Sequence, residues 1–474
     1  MTSLSITLDR ARKVPLATQI YTAIRATIES GHIPPGAKLP SWRDLAAQLG
    51  VSRGTVRLAY ERLIDEQLAL GLGAAGTRVT ERRTVSDAAA FARWSPGSTP
   101  MPEIFHDFGT LPLPFQMGVP AQDAFPATLW SRILTRQARL SGAGPVGYPD
   151  PRGDPGLRRE VAAYLGIARG LRCSPSQILI TAGFSGALGI AIRGLGLERR
   201  TAWMEEPGFP LTRTALRLAG MTPVAVPVDA EGLDVAAGMR AAPDAALAVV
   251  TPGQQAPLGM TMPLARRLML LDWARRKDAW IVEDDYLSEL QLAGRAAPAL
   301  ASLDQGERVL HIGTFSKTIS PALRLGFLVV PAALAQSFGD IAACLAPAPA
   351  DTVQRAVAEF MREGHYLRHL RRMKRVYAAR REALLCALHE QAAGAIEVQA
   401  TAGMAVVARL HGAASDVEIA MRARRLGLAP TPLSPWYAQP PRRQGLLLGV
   451  TNVDAGRVAA DCRRLAELVL HGPS

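Results

Sequence analysis

From about Asp107 onward, helix-like patterns alternate with short apolar runs such as ILIT, ALAVV, WIVED, VLHIG and GFLVV, and this alternation admits few folds. Short runs that are apolar throughout are buried on both faces. That is the situation of strands in a mostly parallel sheet with helices on either side. Ligands of such sheets bind beyond the carboxyl ends of the strands, so chemistry is expected there. At 474 residues the chain is too long for one ordinary domain. Residues 1–80 form a compact helical pattern, 81–106 read as a linker rich in Pro, Ser and charge, and 107–474 form the large domain.

Composition narrows the class further. Hydrophobic residues make up 48% and charged residues 20%, which describes a globular chain with a sizeable core. Thr2 to Lys13 is polar and charged and does not read as a signal peptide, and no apolar run is long enough to span a bilayer. Cys173, Cys344, Cys386 and Cys462 have neither metal-ligand spacing nor the density of a disulfide framework. The expectation is a cytoplasmic protein without a metal site or membrane partner. A net charge of +13 fits a polyanionic partner without requiring one. Only five of the 54 basic residues are lysine (Lys13, Lys38, Lys277, Lys317 and Lys374), and Lys317 lies among small residues where a solvated charge is the less natural reading.

The N-terminal segment carries the signs of a helix-turn-helix. Pro15 opens LATQIYTAIRATIESG, with Ile20, Ile24 and Ile28 one turn apart. Ser41 is the expected N-cap of WRDLAAQLG and Gly50 its stop. Ser52 then caps RGTVRLAYERLIDEQLAL. The second helix opens with Arg53, Thr55 and Arg57 for base edges and phosphates, while Val56, Tyr60 and Leu63 form its buried side. GLGAAGTRVT can form a small hairpin beside it.

The large domain offers what pyridoxal phosphate requires: a lysine for its aldehyde, an anion for its ring nitrogen, a donor to its phenolic oxygen, a stacking partner and a phosphate cradle. Lys317 lies in GTFSKTISPALRLGF, with Ser316 beside it and Arg324 seven residues on. Asp284 and Tyr286 close WIVEDDY two residues apart, hence on one face of the strand. Gly183, Phe184 and Ser185 stand between ILIT and a following helix, where backbone N–H groups bind phosphate. Phe209 in MEEPGFP is the stacking candidate. Singly these signals are weak: Ser-Lys pairs are usually surface, and acidic strand ends are usually caps or ion pairs. Their joint order favours a site.

LPSWRDLAAQLGVSRGTVRLAYERL resembles the GntR family of winged helix-turn-helix regulators. The pieces FQMGVPAQDAFPATLWSRIL, GYPDPRGDPGLRREVAAYL, TPGQQAPLGMTMPLARRLMLL, IVEDDYLSEL, GTFSKTISPALRLGF and EGHYLRHLRRMKRVY resemble fold type I aminotransferases. Together the two parts resemble the MocR subgroup. The resemblance implies a multidomain chain: a winged helix-turn-helix, mostly α with a small β wing, then an α/β transferase of fold type I with a smaller C-terminal α+β subdomain. It implies that Arg43, Ser52, Arg53, Thr55 and Arg57 meet DNA and that Gly76 and Thr77 shape the wing. It further implies pyridoxal 5'-phosphate as cofactor, a small amine or pyridoxal phosphate itself as effector, double-stranded promoter DNA as partner, and a head-to-tail homodimer.

Four departures from the family pattern matter. Gly73-Ala74-Ala75-Gly76 replaces a basic wing tip. Gln254 stands where His is frequent, which makes Gln255 the expected cofactor neighbour. Leu287 replaces a frequent Asp. Pro435, in PLSPWY, stands where many members carry an Arg that in aminotransferases grips the substrate carboxylate, and Pro cannot form that bidentate bond. The reading is a regulator rather than an enzyme, with residual half-transamination allowed. The alternatives are a working aminotransferase with an appended DNA-binding domain, and a repressor whose large domain only dimerises. REGHYLRHLRRMKRVYAARR reads as a helix with a solvated basic face and Tyr366, Leu370 and Met373 inward, and His311, His365 and His369 read as structural.

Overall fold

The computed structural model describes residues 6–80 and 111–470, apart from positions 145, 146, 293, 295, 306 and 413. The expected linker, 81–106, lies outside the described residues. The chain separates into two compact units, Met1–Gly97 and Ser98–Ser474.

The first unit contains α1 (Leu16–Glu29), α2 (Trp42–Leu49), α3 (Arg53–Asp65), β1 (Ala69–Gly71) and β2 (Thr77–Val79). The Ser41 hydroxyl accepts the Asp44 N–H at 3.1 Å to start α2, and Gly50 ends it in the left-handed region at φ 62°. Ser52 accepts the Thr55 N–H at 3.1 Å to start α3. Ile20, Ile24, Leu45, Val56, Tyr60 and Leu63 close one core, so the apolar face of α3 is spent inside the unit and its opposite face stays exposed. β1 and β2 form the antiparallel wing, and a third segment joins it where the Leu39 N–H donates to the Thr77 carbonyl at 2.9 Å.

The second unit opens with α4 (Ala127–Ala143), α5 (Pro155–Ala168), β3 (Ile178–Thr181), α6 (Phe184–Gly194), β4 (Thr201–Glu206), α7 (Pro210–Leu218), β5 (Thr222–Asp229) and β6 (Gly232–Leu233). It continues with α8 (Val235–Ala241), β7 (Leu247–Val250), α9 (Leu264–Lys277), β8 (Trp280–Asp285), β9 (Val309–Thr314), β10 (Gly326–Val329), α10 (Ala335–Leu345), α11 (Asp351–Arg362) and α12 (His365–Ala392). The last elements are β11 (Ile396–Ala402), β12 (Ala405–Leu410), α13 (Asp416–Arg425), β13 (Thr431–Pro432), β14 (Leu446–Gly449) and α14 (Val458–Leu470).

The large sheet runs β3-β10-β9-β8-β7-β4-β5-β6. β5, β4, β7, β8 and β9 are parallel, while β10 is antiparallel to both its neighbours, because a short return from the Lys317 loop reverses the chain. The apolar runs at β3, β7, β9 and β10 are buried throughout, as a sheet covered on both faces requires. A second, antiparallel sheet, β11-β12-β14-β13, forms the smaller subdomain. Tyr366, Leu370 and Met373 of α12 point into the core as their spacing predicts.

Close packing beside the Lys317 loop depends on one small residue. Gly313 of β9 faces the ring of Phe327 on β10, and a Cβ there would lie 2.1 Å from the ring edge. Gly313→Ala should therefore destabilise the large unit by roughly 1–3 kcal/mol, the usual cost of overpacking. Denaturant unfolding would measure the loss, and an unchanged midpoint would contradict this packing.

Candidate functional site

Asp284 and Tyr286 stand at the carboxyl end of β8, and β8 pairs in parallel with β9 through Asp284 opposite Ile312. The strand's alternation divides its acidic residues between two faces. Glu283 and Asp285 point to the back, into a buried cluster. His311 Nδ1 lies 2.9 Å from Glu283, whose carboxylate also accepts the N–H groups of Leu300 and Ala301. Arg169 donates to Asp285 at 2.7 Å. Burial opposes the ionisation of Glu283, yet His311 and these donors hold its carboxyl below the usual carboxylate range. Asp284 belongs to the front, and its carboxylate makes no hydrogen bond to any described residue. Its carboxyl is pushed up to about 8, first by burial and then by the charges of Asp285 and Glu205.

Lys317 follows β9. Its loop is pinned from α12, where the Tyr366 hydroxyl donates to Thr318 Oγ1 at 3.1 Å and His369 Nε2 donates to the Thr318 carbonyl at 2.8 Å. Thus His311 and His369 both have structural partners. Lys317 Nζ donates to the Gly118 carbonyl at 3.0 Å, and a Cβ on Gly118 would sit 2.7 Å from Nζ. Burial lowers the affinity of this amine for its proton, with Asp284 pulling the other way. Each group thus perturbs the other across the front of the sheet.

On one side of Lys317, Gly183 adopts φ 85° to turn β3 into α6. No side chain caps α6, so its first-turn N–H groups, including those of Phe184 and Ser185, are left for a ligand or solvent. Arg324 reaches the same turn, donating to the Ala182 carbonyl at 3.3 Å. Ser316 is partly buried beside Lys317, and its N–H donates to Thr314 Oγ1 at 3.1 Å. On another side, Phe209 and Tyr286 pack into an apolar group with Ala256, Leu433, Trp436 and Tyr437. The rings of Phe209 and Trp436 are 5.5 Å apart. Burial raises the Tyr286 hydroxyl above its ordinary value, and Asp284 adds to this.

Gln255, expected beside the cofactor, is turned into its own loop. Its amide donates to the carbonyls of Pro207 and Ala256 at 2.8 Å, and its oxygen accepts the Leu258 N–H at 3.0 Å. Gln254 is the glutamine whose side chain acts on the Tyr286 hydroxyl, drawing it slightly back toward its ordinary value. Sequence reasoning missed Gln254 in this position, and it also missed Gly118 and Glu205. Glu205 is fully buried, accepts from the backbone and hydroxyl of Thr251, and is pushed up to about 7 chiefly by burial. Only its place in MEEPGF, beside Phe209, could have flagged it. No group of three or more His, Cys, Asp or Glu residues fit to hold a metal occurs among the described residues.

In the first unit, Arg43 and Arg53 are exposed, with the Arg43 guanidinium 5.5 Å from the Trp42 ring. Arg57 is held by Glu61 at 2.8 Å. Thr55 Oγ1 shares a 2.8 Å hydrogen bond with Ser52. Gly76, at φ 92°, lies under Lys38, whose Cε would be 2.9 Å from an added Cβ. The wing whose tip lacks a basic residue therefore has Lys38 and Arg78 alongside, paired in an isolated bridge. No helix among the described residues is long and apolar enough to cross a membrane.

Comparison with known proteins divides the chain in the same way. Residues 16–79 match the bacterial regulatory proteins of the gntR family, and residues 121–443 match aminotransferase class I and II. A probable rhizopine catabolism regulatory protein, MocR, of Rhizobium meliloti is 37% identical over 95% of this chain and 92% of its own. The HTH-type transcriptional regulator TauR of Rhodobacter capsulatus is 34% identical over 85% of each. Among solved structures, the α-aminoadipate aminotransferase LysN of Thermus thermophilus, complexed with N-(5'-phosphopyridoxyl)-L-leucine, aligns with TM-score 0.66 at 28% identity, covering 75% of this chain and 91% of that one.

The state of Asp284 can be tested without cofactor. Its carboxyl holds a proton up to about 8 in the folded chain, whereas an unfolded Asp releases it near about pH 4. The folded state binds the extra proton across that window, so this residue costs stability as pH rises through it. Asp284→Asn should gain on the wild type between about pH 4 and about pH 8, by on the order of 1–3 kcal/mol for a partly exposed site. Denaturant midpoints of both proteins across this range would show a widening gap, and a constant gap would refute the assignment.

Proposed function

The chain belongs to the MocR-type regulators, a GntR-family DNA-binding domain joined to an aminotransferase class I and II domain, and from this membership we propose that it is a pyridoxal-phosphate-dependent transcriptional regulator that senses a small amine. The observation carrying the cofactor reading is the joint placement of a Lys317 amine whose burial weakens its hold on a proton and a carboxyl, Asp284, that finds no hydrogen bond among the described residues. When bound, pyridoxal phosphate supplies an electrophilic carbon to primary amines and a ring that draws electrons when its nitrogen is protonated.

Each residue has a role that its chemistry suits. Lys317, whose burial weakens its hold on a proton, would hold the cofactor covalently. Asp284 would pair with the ring nitrogen, and the positive charge of that partner would draw its carboxyl back to the ionised form. Tyr286 would meet the phenolic oxygen, and Phe209 would cover the ring face. The turn at Gly183, Phe184 and Ser185 would receive the phosphate, with Arg324 and Ser316 beside it. Gln255 supports the loop beneath rather than touching the ring.

In the DNA-binding domain, Arg43, Ser52, Arg53, Thr55 and Arg57 would lie against double-stranded promoter DNA, with Gly76 and Thr77 shaping the wing and Lys38 giving it charge. A homodimer, head-to-tail, would occupy two half-sites, since one small module buries little surface. A cytoplasmic location follows from this role. Pro435 is what disfavours net catalysis, because turnover needs the substrate held while its Cα proton moves. Half-transamination remains compatible with the site.

Borohydride treatment of the pyridoxal-phosphate-loaded protein should attach the cofactor to the peptide containing Lys317. Lys317→Ala should abolish the attachment while leaving promoter binding by the first unit intact. Labelling of another lysine would overturn the assignment. Arg53→Ala should weaken specific promoter binding by about 1–3 kcal/mol. Gel-shift titration checks this, and equal binding by a chain lacking residues 1–80 would refute it.

A further inference from the structure

Resting on the cofactor reading above, the structure narrows what the effector can be at the end remote from its amine. Leu433, Trp436 and Tyr437 of the loop Leu433–Gln439 pack with Phe209 and Tyr286, two of the residues assigned to the cofactor above. Asp416, fully buried at the start of α13, fixes the base of that loop. Its carboxylate accepts the Ser434 N–H at 2.7 Å, the Ser434 hydroxyl at 2.6 Å and the Gly445 N–H at 3.1 Å. Further along, the Trp436 carbonyl accepts the Gly208 N–H at 3.1 Å, and Glu206 accepts the N–H groups of Ala438 and Gln439. Pro435 and Trp436 are therefore held from both subdomains, with the indole against Phe209.

The wall is apolar, made by Ala256, Leu433, Trp436 and Tyr437 with Met117, Phe209 and Leu258 around them. Among the described residues of this wall, one fully buried polar atom has no hydrogen-bond partner. Trp436 is 5% exposed, and its indole N–H makes no hydrogen bond. An unpaired buried donor costs about 1–3 kcal/mol, a cost that a ligand oxygen removes. A cation to replace the missing arginine is not supplied by the guanidinium that touches this loop. Arg213 donates to the Trp436 carbonyl at 2.7 Å and lies 3.9 Å from Glu206, so its charge is already shared. Arg442 and Arg443 of the following turn are exposed to solvent. A carboxylate or sulfonate against this wall would lose its hydration without gaining a bidentate partner.

We propose that the effector is a primary amine whose far end is an uncharged hydrogen-bond acceptor on an apolar frame, received by the indole N–H of Trp436. The test is absorbance titration of the full-length, cofactor-loaded protein with amines of matched shape: taurine against 2-aminoethyl methyl sulfone, and 4-aminobutanoate against 4-aminobutanamide. In each pair the neutral member should perturb the cofactor's visible band at a concentration at least about fivefold lower, the worth of one neutral hydrogen bond. Trp436→Phe should remove that advantage. Pro435→Arg should reverse the order within each pair. A coloured protein that answers the anions as well as the neutral amines, answers neither, or keeps its preference in Trp436→Phe overturns this inference alone. A protein that takes up no pyridoxal phosphate overturns the cofactor reading and this one together.

Discussion

The parallel pairing of β8 with β9 is the constraint on which the large unit's site depends. It brings the end of WIVEDD and the loop after VLHIGT to the same edge of the sheet, where Asp284 and Lys317 sense each other's charge. The pairing is locked from behind. Glu283 on β8 meets His311 on β9 and the backbone N–H groups of Leu300 and Ala301, while Asp285 meets Arg169. A buried charge pair contributes little net stability, but breaking one leaves an uncompensated charge, so it specifies register strongly. With the register held, strand alternation alone decides that Asp284 and Tyr286 face forward.

The front of the sheet has the opposite electrostatics. Its carboxyls are not matched by cations as those behind are. Asp284 and Glu205 are both held toward the protonated form, principally by burial, and Lys317 toward the neutral form. Such a surface is poorly satisfied by itself and suits a cationic ring beside a nucleophilic amine, in keeping with the habit of functional sites to concentrate perturbed groups. The loop carrying Lys317 is rigid for a related reason. Tyr366 and His369 of α12 take up the hydroxyl and carbonyl of Thr318, leaving the adjacent lysine little freedom.

The first unit solves a simpler problem. Two serine caps and a left-handed glycine fix where α2 and α3 begin and end, and one apolar core fixes their crossing. What remains outward at the start of α3 is basic and polar by default. The wing acquires charge from Lys38, a residue distant from it in sequence but placed beside Gly76 by the edge pairing of 36–39.

The sequence by itself determined the elements, because their signals are local. Ser41, Gly50 and Ser52 mark helix ends, the apolar runs mark buried strands, and Asp284 and Tyr286 share a face through a period of two. The order of Asp284, Lys317 and Arg324 along the chain also follows the ends of successive elements. Only the tertiary structure shows which way the side chains of Gln254 and Gln255 turn, since adjacent residues on a turn differ in direction by packing that leaves no periodic trace. It alone placed Gly118 against Lys317, 199 residues away, and Lys38 on the wing. It alone left the Trp436 indole N–H unpartnered in an apolar wall. Whether a buried donor is satisfied is a property of every group around it, and no local stretch of sequence carries that information.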